Sequence, residues 1–325
     1  MPFNRRDLIR AGGGAFALAH VPRLFAQGWP QQAVRLVVPF TAGSATDIVA
    51  RTLAQELEKG LRQPVVIDNK PGAGGTVGAS QVAAGAGDGY TVLVHSAGHV
   101  ANAALYPALR YDTLRDFTPV TMLATLPNVL VIGPAKQFSS VQDLVAKAKA
   151  QPGKFTYGTA GNGSATHMNA EKFRTAVGID AVHVPYKGTP EAITEVIAGR
   201  IDWFFAPLIS AMPLIKDGKL VPLAVGSARR SPALPTIPTT LEVGYANSDY
   251  TFWIGSFVSS KTPADIVARL HAEIVRALAS DPVKERFERL GAEPSPMAQA
   301  AFAQLVAAET AASAELIRRV GMKVE

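Results

Sequence analysis

Apolar and polar positions alternate along the chain in blocks that predict strands followed by helices. The run "VRLVVPF" (Val34–Phe40) is almost uniformly apolar, as expected for a strand buried on both faces. Helical spacing follows it, with apolar side chains every four residues at Val49, Leu53, Leu57 and Leu61. Asp47 is placed to cap this helix, and Gly60 suits its C-terminal end.

The same alternation continues in two blocks. Further strand-like runs are "PVVIDN" and "YTVLVHS" in the first block, and "NVLVIGP", "KFTYGTA", "AVHVPY", "IDWFFAP" and "LVPLAVGS" in the second. Helix-like runs lie between them, such as "GTPEAITEVIAGR", where Thr189 is the expected cap and Pro190 the first helical residue. This alternation favours a mainly parallel sheet in each block, with helices on both faces.

A proline-rich segment, "SPALPTIPTTLEVGY", interrupts the pattern before the chain returns through "DYTFWIGSFVSS". A helical C-terminal part follows from Pro263 to about residue 319, and we expect it to pack on the first block. The prediction is therefore an α/β protein of two lobes. Residues 27–126 plus 251–325 form lobe 1, and residues 127–250 form lobe 2. The two crossings, near residues 126 and 250, would form a hinge beside a cleft.

The first 26 residues predict an export signal. Arg5 and Arg6 precede a weakly apolar, glycine-rich run, and small residues follow near Ala26. The order Arg-Arg-Asp-Leu-Ile-Arg is similar to a twin-arginine signal, and an ordinary secretion signal is the alternative. Cleavage is expected after Ala26, or alternatively after Ala19. Either signal places the mature protein in the periplasm.

Charge and cysteine content narrow the range of functions. The net charge of the 325-residue chain is +6, and because the signal carries four arginines and one aspartate, its removal lowers the charge to +3. No dense Lys/Arg stripe with interleaved aromatic residues occurs, so nucleic acid is not an expected partner. The chain has no cysteine, which excludes disulfides, thiol catalysis and thiolate metal sites.

Two similar corners carry the main functional signal. "FTAGSATD" (Phe40–Asp47) and "TYGTAGNGSATH" (Thr156–His167) share Thr-Ala-Gly and Ser-Ala-Thr, and each joins a strand-like run to a helix-like run. Ligands of open α/β sheets bind at such strand ends, and a helix start offers free N–H groups to an anion. Hydroxyl donors are added by Ser44, Thr46, Thr159, Ser164 and Thr166. Two capped helix starts without a ligand remain the alternative.

Other polar residues near strand ends are candidates with a structural alternative. Lys187 can neutralise a carboxylate or be solvated, and Tyr186 can stack or donate a hydrogen bond. Asp202 can contact a ligand or take part in an internal salt bridge, and His167 can donate to a ligand or be structural. Ser96, at the end of the third strand, is also assigned to the ligand site.

Three other motifs bear on nucleotide binding, metal binding and hydrolase chemistry. In "PGAGGTVG" the third glycine of G-x-G-x-x-G would fall at Val77, so the loop lines a cleft or only turns the chain. His95 and His99 have helical spacing but no acidic neighbour, so no metal is predicted. Ser164 and His167 lack an orienting third group in the sequence. No cofactor is expected.

With these residues considered, the chain resembles the periplasmic receptors of tripartite tricarboxylate transporters, also called Bordetella uptake gene (Bug) proteins. The resemblance covers essentially the whole mature chain in ordered blocks: "WPQQAVRLVVPFTAGSATDIVARTLAQEL", "QPVVIDNKPGAGGTVGASQVA", "DGYTVLV", "YDTLRDFTPVTML", "SVQDLVAKAKAQPGKFTYGTAGNGSATHM", "VHVPYKGTPEAITEVIAGRID" and "PTTLEVGY". It implies a two-lobed fold similar to the type II periplasmic binding proteins, which holds a small carboxylate in the cleft between its lobes.

The resemblance also implies the site residues. In the first lobe these are Phe40, Thr41, Ala42, Gly43, Ser44 and Asp47, and in the second lobe Thr159, Gly163, Ser164, Thr166 and His167. The chain departs from the usual family pattern at Ser44, where a second glycine is common. A side chain there narrows the approach of a ligand or adds a hydroxyl.

The sequence therefore predicts a binding protein without catalysis, expected to be a monomer. Its two lobes would close on a carboxylated molecule, and the closed surface would be recognised by a membrane transporter or a sensor domain. One alternative is an exported hydrolase that uses Ser164 and His167. The other is a receptor for a neutral or aromatic ligand, in which Phe40, Tyr186, Trp203 and Phe204 make the main contacts.

Overall fold

The computed structural model describes residues 28–323, so the predicted export signal and its cleavage sites lie outside the described residues. The described part contains eleven strands: β1 (Val34–Val38), β2 (Val65–Asn69), β3 (Thr91–Ser96), β4 (Phe117–Thr125), β5 (Asn128–Ile132), β6 (Phe155–Thr159), β7 (Ala181–Pro185), β8 (Trp203–Pro207), β9 (Val221–Val225), β10 (Trp253–Ser259) and β11 (Glu293–Pro294). 

Ten α-helices accompany these strands within the same residues: α1 (Ala45–Leu61), α2 (Thr76–Ala83), α3 (Gly98–Leu105), α4 (Val141–Ala150), α5 (Ala165–Val177), α6 (Thr189–Ile197), α7 (Leu208–Lys216), α8 (Ala264–Leu278), α9 (Asp281–Arg289) and α10 (Gln299–Val320). None of the helices in this part of the chain combines the length and the apolar character that a membrane span needs.

The strands form two sheets that share one internal order. The first sheet runs β11-β4-β10-β3-β1-β2 and the second runs β7-β6-β8-β5-β9. In each sheet the central strand pairs are parallel, whereas β10 and β5 are antiparallel to both of their neighbours. The β1–α1 and β6–α5 corners therefore occupy equivalent places in the two sheets. The α/β fold of two lobes expected from the sequence is confirmed.

The apolar patterns explain the packing of the first lobe. Leu36, Val37 and Val38 of β1 are buried in one apolar cluster with the four periodic residues of α1, Val49, Leu53, Leu57 and Leu61. The C-terminal helices cover the same sheet, where Phe302 of α10 packs edge-on against Trp253 of β10 with ring centroids 5.5 Å apart.

Three local predictions about helix ends were wrong. Ser44, rather than Asp47, is the N-cap of α1, and Gly188, rather than Thr189, precedes the first residue of α6. Gly60 lies inside α1, which ends at Leu61 followed by a left-handed Arg62. A Cβ at Gly60 would collide with side chains of α8, so this glycine permits close helix packing instead of ending the helix.

The two crossings between the sheets lie side by side. The N–H of Leu126, between β4 and β5, donates to the carbonyl of Phe252, just before β10, at 3.1 Å. On another face, Ala101, Leu105 and Ile317 pack against Met168 of α5. Two short, adjacent crossings between the lobes, with side-chain contacts beside them, are the arrangement expected for a hinge.

We predict that Gly255→Ala destabilises the protein by about 1–3 kcal/mol, because the added methyl has no room in a packed core. Its Cβ would overlap Phe302 and lie 3.2 Å from a ring atom of Trp253, both fully buried. Urea unfolding followed by tryptophan fluorescence measures this loss.

Gly158→Ala is the matched control, since Gly158 also lies in a strand but its Cβ would meet its nearest neighbour, the Ala192 Cβ, at an ordinary 3.5 Å. We expect the control to change the unfolding midpoint little. Equal losses in both variants would show that the Gly255 packing is not the cause.

Candidate functional site

The two similar corners face each other across the cleft between the lobes. They enclose a cavity of about 20 Å³, which is room for about one water molecule. The cavity is lined by Phe40, Ser44, Ala45, Thr46, Ser96, Ala160, Ser164, Ala165, Thr166, Thr189, Pro207 and Phe252. The lining includes residues of both predicted corners, and none of these residues carries a charged side chain.

Four helices begin at this cavity. Ala45, Ala165 and Thr189 are the first residues of α1, α5 and α6, and Pro207 directly precedes α7. The first N–H groups of a helix have no partner within the helix, and the helix dipole adds a partial positive charge at that end. The cavity is therefore suited to an anion although no cationic side chain lines it.

Hydroxyl groups complete the polar lining. The Thr46 side chain is 2% exposed, and its Oγ1 has no hydrogen-bond partner among the described residues. Thr166 Oγ1 accepts the Ala160 N–H at 2.9 Å and lies 3.0 Å from Ser164 Oγ. A buried hydroxyl without a hydrogen-bond partner lowers the stability of the fold. Thr46 therefore indicates a polar ligand in the cavity.

Asp47 holds the first corner in shape. Its carboxylate accepts hydrogen bonds at 2.9 Å each from the Gly43 N–H, the Arg51 Nε and the Asn69 Nδ2. Burial raises the pKa of Asp47, but these hydrogen bonds outweigh burial and keep the pKa below its usual value. Arg51 is thus neutralised by the Asp47 carboxylate in the first turn of α1 and does not line the cavity.

A column of aromatic rings supports the second corner. His167 Nδ1 accepts the Gly163 N–H at 3.1 Å, and its ring stacks on His183 with centroids 3.9 Å apart. His183 also stacks on Tyr157, and its Nε2 lies 2.7 Å from Thr159 Oγ1. Burial lowers the pKa of His183 to about 4 and holds that of His167 well below its usual value. Both rings are neutral at pH 7 and structural.

The contacts of Ser164 do not form a catalytic pair. Ser164 Oγ accepts the backbone N–H of His167 at 3.3 Å as the N-cap of α5, while the His167 ring is occupied by Gly163. The rings of Trp203 and Phe204, named for an aromatic ligand, are fully buried in the core of the second lobe and do not line the cavity.

An outer pocket of about 400 Å³ adjoins the cavity at Ala160, which lines both. It is formed by Gly72, Ala73, Gly74, Tyr106, Ala160, Gly161, Asn162, Pro185, Tyr186, Lys187 and Glu191. Tyr186 and Lys187 are candidates from the sequence, and Gly72, Ala73 and Gly74 belong to the glycine loop, which lines the cleft. Tyr106 and Glu191 are not predicted by any local pattern, because only the folded chain brings these residues to the cleft.

Hydrogen bonds between the lobes hold the cleft shut. Thr41 Oγ1 donates to Glu191 Oε2 at 3.0 Å, and the Tyr106 hydroxyl donates to the Asn162 carbonyl at 2.9 Å. The Thr189 N–H lies 3.4 Å from Ser44 Oγ. Ser44, the departure from the family pattern, thus contacts the opposite lobe. Ala42 and Gly43 lie on the exposed edge of the first corner.

Asp202 lies away from the cleft. Its carboxylate accepts a hydrogen bond from Lys136 Nζ at 2.6 Å and another from the Thr156 N–H at 2.8 Å. It precedes β8, whose opposite end at Pro207 lines the cavity, a separation of roughly 16 Å for five strand residues. The structure assigns Asp202 to a salt bridge, which was its structural alternative.

His95 and His99 are fully buried, and no group of three or more potential metal ligands occurs between residues 28 and 323. His99 lies among aromatic rings, 4.8 Å from the centroids of both Phe117 and Phe257. Burial lowers the pKa of His95 to about 3, so its ring is also neutral at pH 7.

The chain is similar to known proteins over most of its length. The model of a family described as "Tripartite tricarboxylate transporter family receptor" matches residues 49–322. Protein BugT of Bordetella pertussis is 32% identical over 302 residues, which cover 92% of this chain and 93% of BugT.

Two solved structures are similar in fold and carry a bound acid. R. palustris Rpa4515 with adipate has a TM-score of 0.88 and 34% identity, covering 91% of this chain and 99% of its own. MatC of Rhodopseudomonas palustris with bound malate has a TM-score of 0.85 and 32% identity, covering 89% of this chain and 100% of its own.

The partly buried His183 of β7, which stacks on His167 of the second corner, predicts a dependence of stability on pH. Because the pKa of His183 is about 4 in the folded protein and about 6.5 when unfolded, the unfolded state binds more protons between these values. The free energy of unfolding should therefore fall as the pH decreases from about 6.5 to 4, with His183 contributing up to about 3 kcal/mol.

Urea unfolding at several pH values, on the wild type and on His183→Gln, measures this contribution. The variant loses ring stacking and is less stable at pH 7, but its stability should depend less on pH. Parallel pH profiles for the two proteins would contradict the role given to His183.

Proposed function

The chain belongs to the tripartite tricarboxylate transporter family of receptors, a family of periplasmic solute-binding proteins and not of enzymes, and we propose that it captures a dicarboxylate for such a transporter. Delivery would be to the membrane subunits of the transporter. The mature protein would act in the periplasm after removal of residues 1–26.

The observation that carries this proposal is the cavity at which four helices begin. Its lining offers amide and hydroxyl donors and no charged side chain, and Thr46 has an unpartnered hydroxyl there. A carboxylate group accepts up to about four hydrogen bonds and carries the charge that helix N-termini favour. A neutral amide would gain less from the helix dipoles. Its NH2 group would also place two N–H donors against the N–H and O–H donors of the cavity, where they have few acceptors.

The outer pocket supports a solute with a second polar end. It adjoins the cavity at Ala160, and its rim carries the exposed Lys187 and the hydroxyl-bearing Tyr186. We assign the first carboxylate to the cavity and the second to the side of Lys187. The relatives with adipate and malate bind acids of this class.

Binding requires the lobes to move. The closed cavity holds about one water, so a carboxylate enters only when the lobes part at the crossings near Leu126 and Phe252. The solute would then replace contacts across the cleft and favour the closed form by its better fit to that form.

The proposal is tested with malate and adipate against their neutral diamides. We expect the diacids to raise the melting temperature in proportion to the logarithm of concentration and the diamides to have little effect. Equal shifts with the diamides would instead support the receptor for neutral ligands.

The same titration on two threonine variants locates the site. We expect Thr46→Val to weaken binding of the responding diacid about 10-fold or more, because it removes a hydrogen bond to a charged group. Thr52→Val is the matched control, since Thr52 lies on the same helix but donates to the Ile48 carbonyl. Calorimetry that found equal affinities for both variants would remove Thr46 from the site.

A further inference from the structure

A second large groove lies on the other side of the hinge from the cavity. It measures about 1020 Å³, and Phe252 lines both the groove and the cavity. One wall is formed by α9 and residues 291–294 of the first lobe. The other is formed by the end of α7 and residues 227–233 of the second lobe, and the crossing at Leu126 and Pro127 lies between them.

Basic side chains without ion-pair partners line both walls. Lys284 and Arg289 belong to the first lobe, and Lys216 and Arg229 to the second. All four are exposed, and none forms a salt bridge with the residues that the structure describes. Arg230, also in the groove, is paired with Glu242 outside it.

The groove has fewer acidic than basic side chains, and its lining also includes apolar residues. Two acidic residues, Glu288 and Glu293, face the five basic ones. Leu126 at the crossing and Met212 and Ala233 in the second wall add apolar groups to the lining. A peptide with acidic and apolar side chains matches both features, whereas a small anion would use only the cations.

The position of the groove couples its width to the state of the cleft. Its walls belong to different lobes and its floor contains a crossing, so rotation of the lobes about the crossings changes its width. Phe252 lines both the groove and the cavity, so a rotation that closes the cavity on one side of the crossings would widen the groove on the other.

We propose that this groove binds an acidic segment of a partner protein and that the bound segment favours the closed arrangement of the lobes. The groove lies outside the solute cleft, so the proposal does not depend on which solute the cleft takes. A partner that binds there has a higher affinity for the closed arrangement of the lobes. By linkage, the partner raises the affinity for the solute by the same factor by which the solute raises the affinity for the partner.

The test uses a fluorescent ten-residue peptide of glutamate, leucine and glycine at low ionic strength. We expect Arg229→Glu combined with Lys284→Glu to weaken peptide binding 10-fold or more, and the uncharged pair Arg229→Gln with Lys284→Gln to weaken it less. Lys149→Glu with Lys154→Glu is the matched control, since both lysines are exposed on the second lobe outside the groove and have no salt bridge among the described residues. The control should bind as the wild type does.

Lobe closure is measured in the same samples without any solute. The chain has no cysteine, so Val66→Cys and Val182→Cys provide two unique sites for spin labels. These valines are about half exposed on β2 and β7, and the loops after these strands form the mouth of the cleft. The peptide should shift the distance between the labels to shorter values.

Three results would overturn the proposal. The first is equal peptide binding by the groove and control variants. The second is an unchanged label distance at saturating peptide. The third is displacement of the peptide by citrate at equal concentration, which would indicate a site for free anions. A peptide with lysine in place of glutamate should not bind, and binding of it would also count against the groove.

Discussion

Four α-helices begin at one cavity between the lobes, and the dipoles and N–H donors of their first turns are the feature on which the proposed function depends. A site built from amides and hydroxyls must be assembled from both lobes, because each lobe contributes only some of the helix starts. The repeated strand order of the two sheets does this, since it places the β1–α1 and β6–α5 corners at equivalent strand ends. The similar Thr-Ala-Gly and Ser-Ala-Thr segments thus serve the same geometric task in each lobe.

The corners keep their shape through contacts of side chains that do not line the cavity. In the first lobe Asp47 satisfies the Gly43 N–H and neutralises Arg51. In the second lobe a neutral His167 satisfies the Gly163 N–H. Since these supporting groups lie behind the corners, the cavity has a polar lining but contains no charged side chain. An anion there is held by dipoles fixed before it arrives, which avoids the cost of reorganising the site on binding.

Local sequence patterns predicted what depends on local physics. The apolar runs of β1 and the four-residue period of α1 reflect burial of one strand and one helix face, and both lie as expected. Helix α7 was missed because it is short and contains Pro213, which argues against a helix. The positions of Gly60, Glu191 and Asp202 depend on α8, on Thr41 and on Lys136, which are far away in the sequence. No local pattern reports such contacts.

The most direct test of this account is the number of protons taken up when the tighter-binding acid of malate and adipate enters the cleft. Calorimetry at pH 7 to 8, in two buffers with different heats of ionisation, measures it. If helix N-termini hold the ionised carboxylate, binding takes up no proton, and the affinity does not change with pH in this range. Uptake of about one proton, with affinity rising about tenfold for each unit of decreasing pH, would show that the cavity binds the neutral acid and would contradict the account.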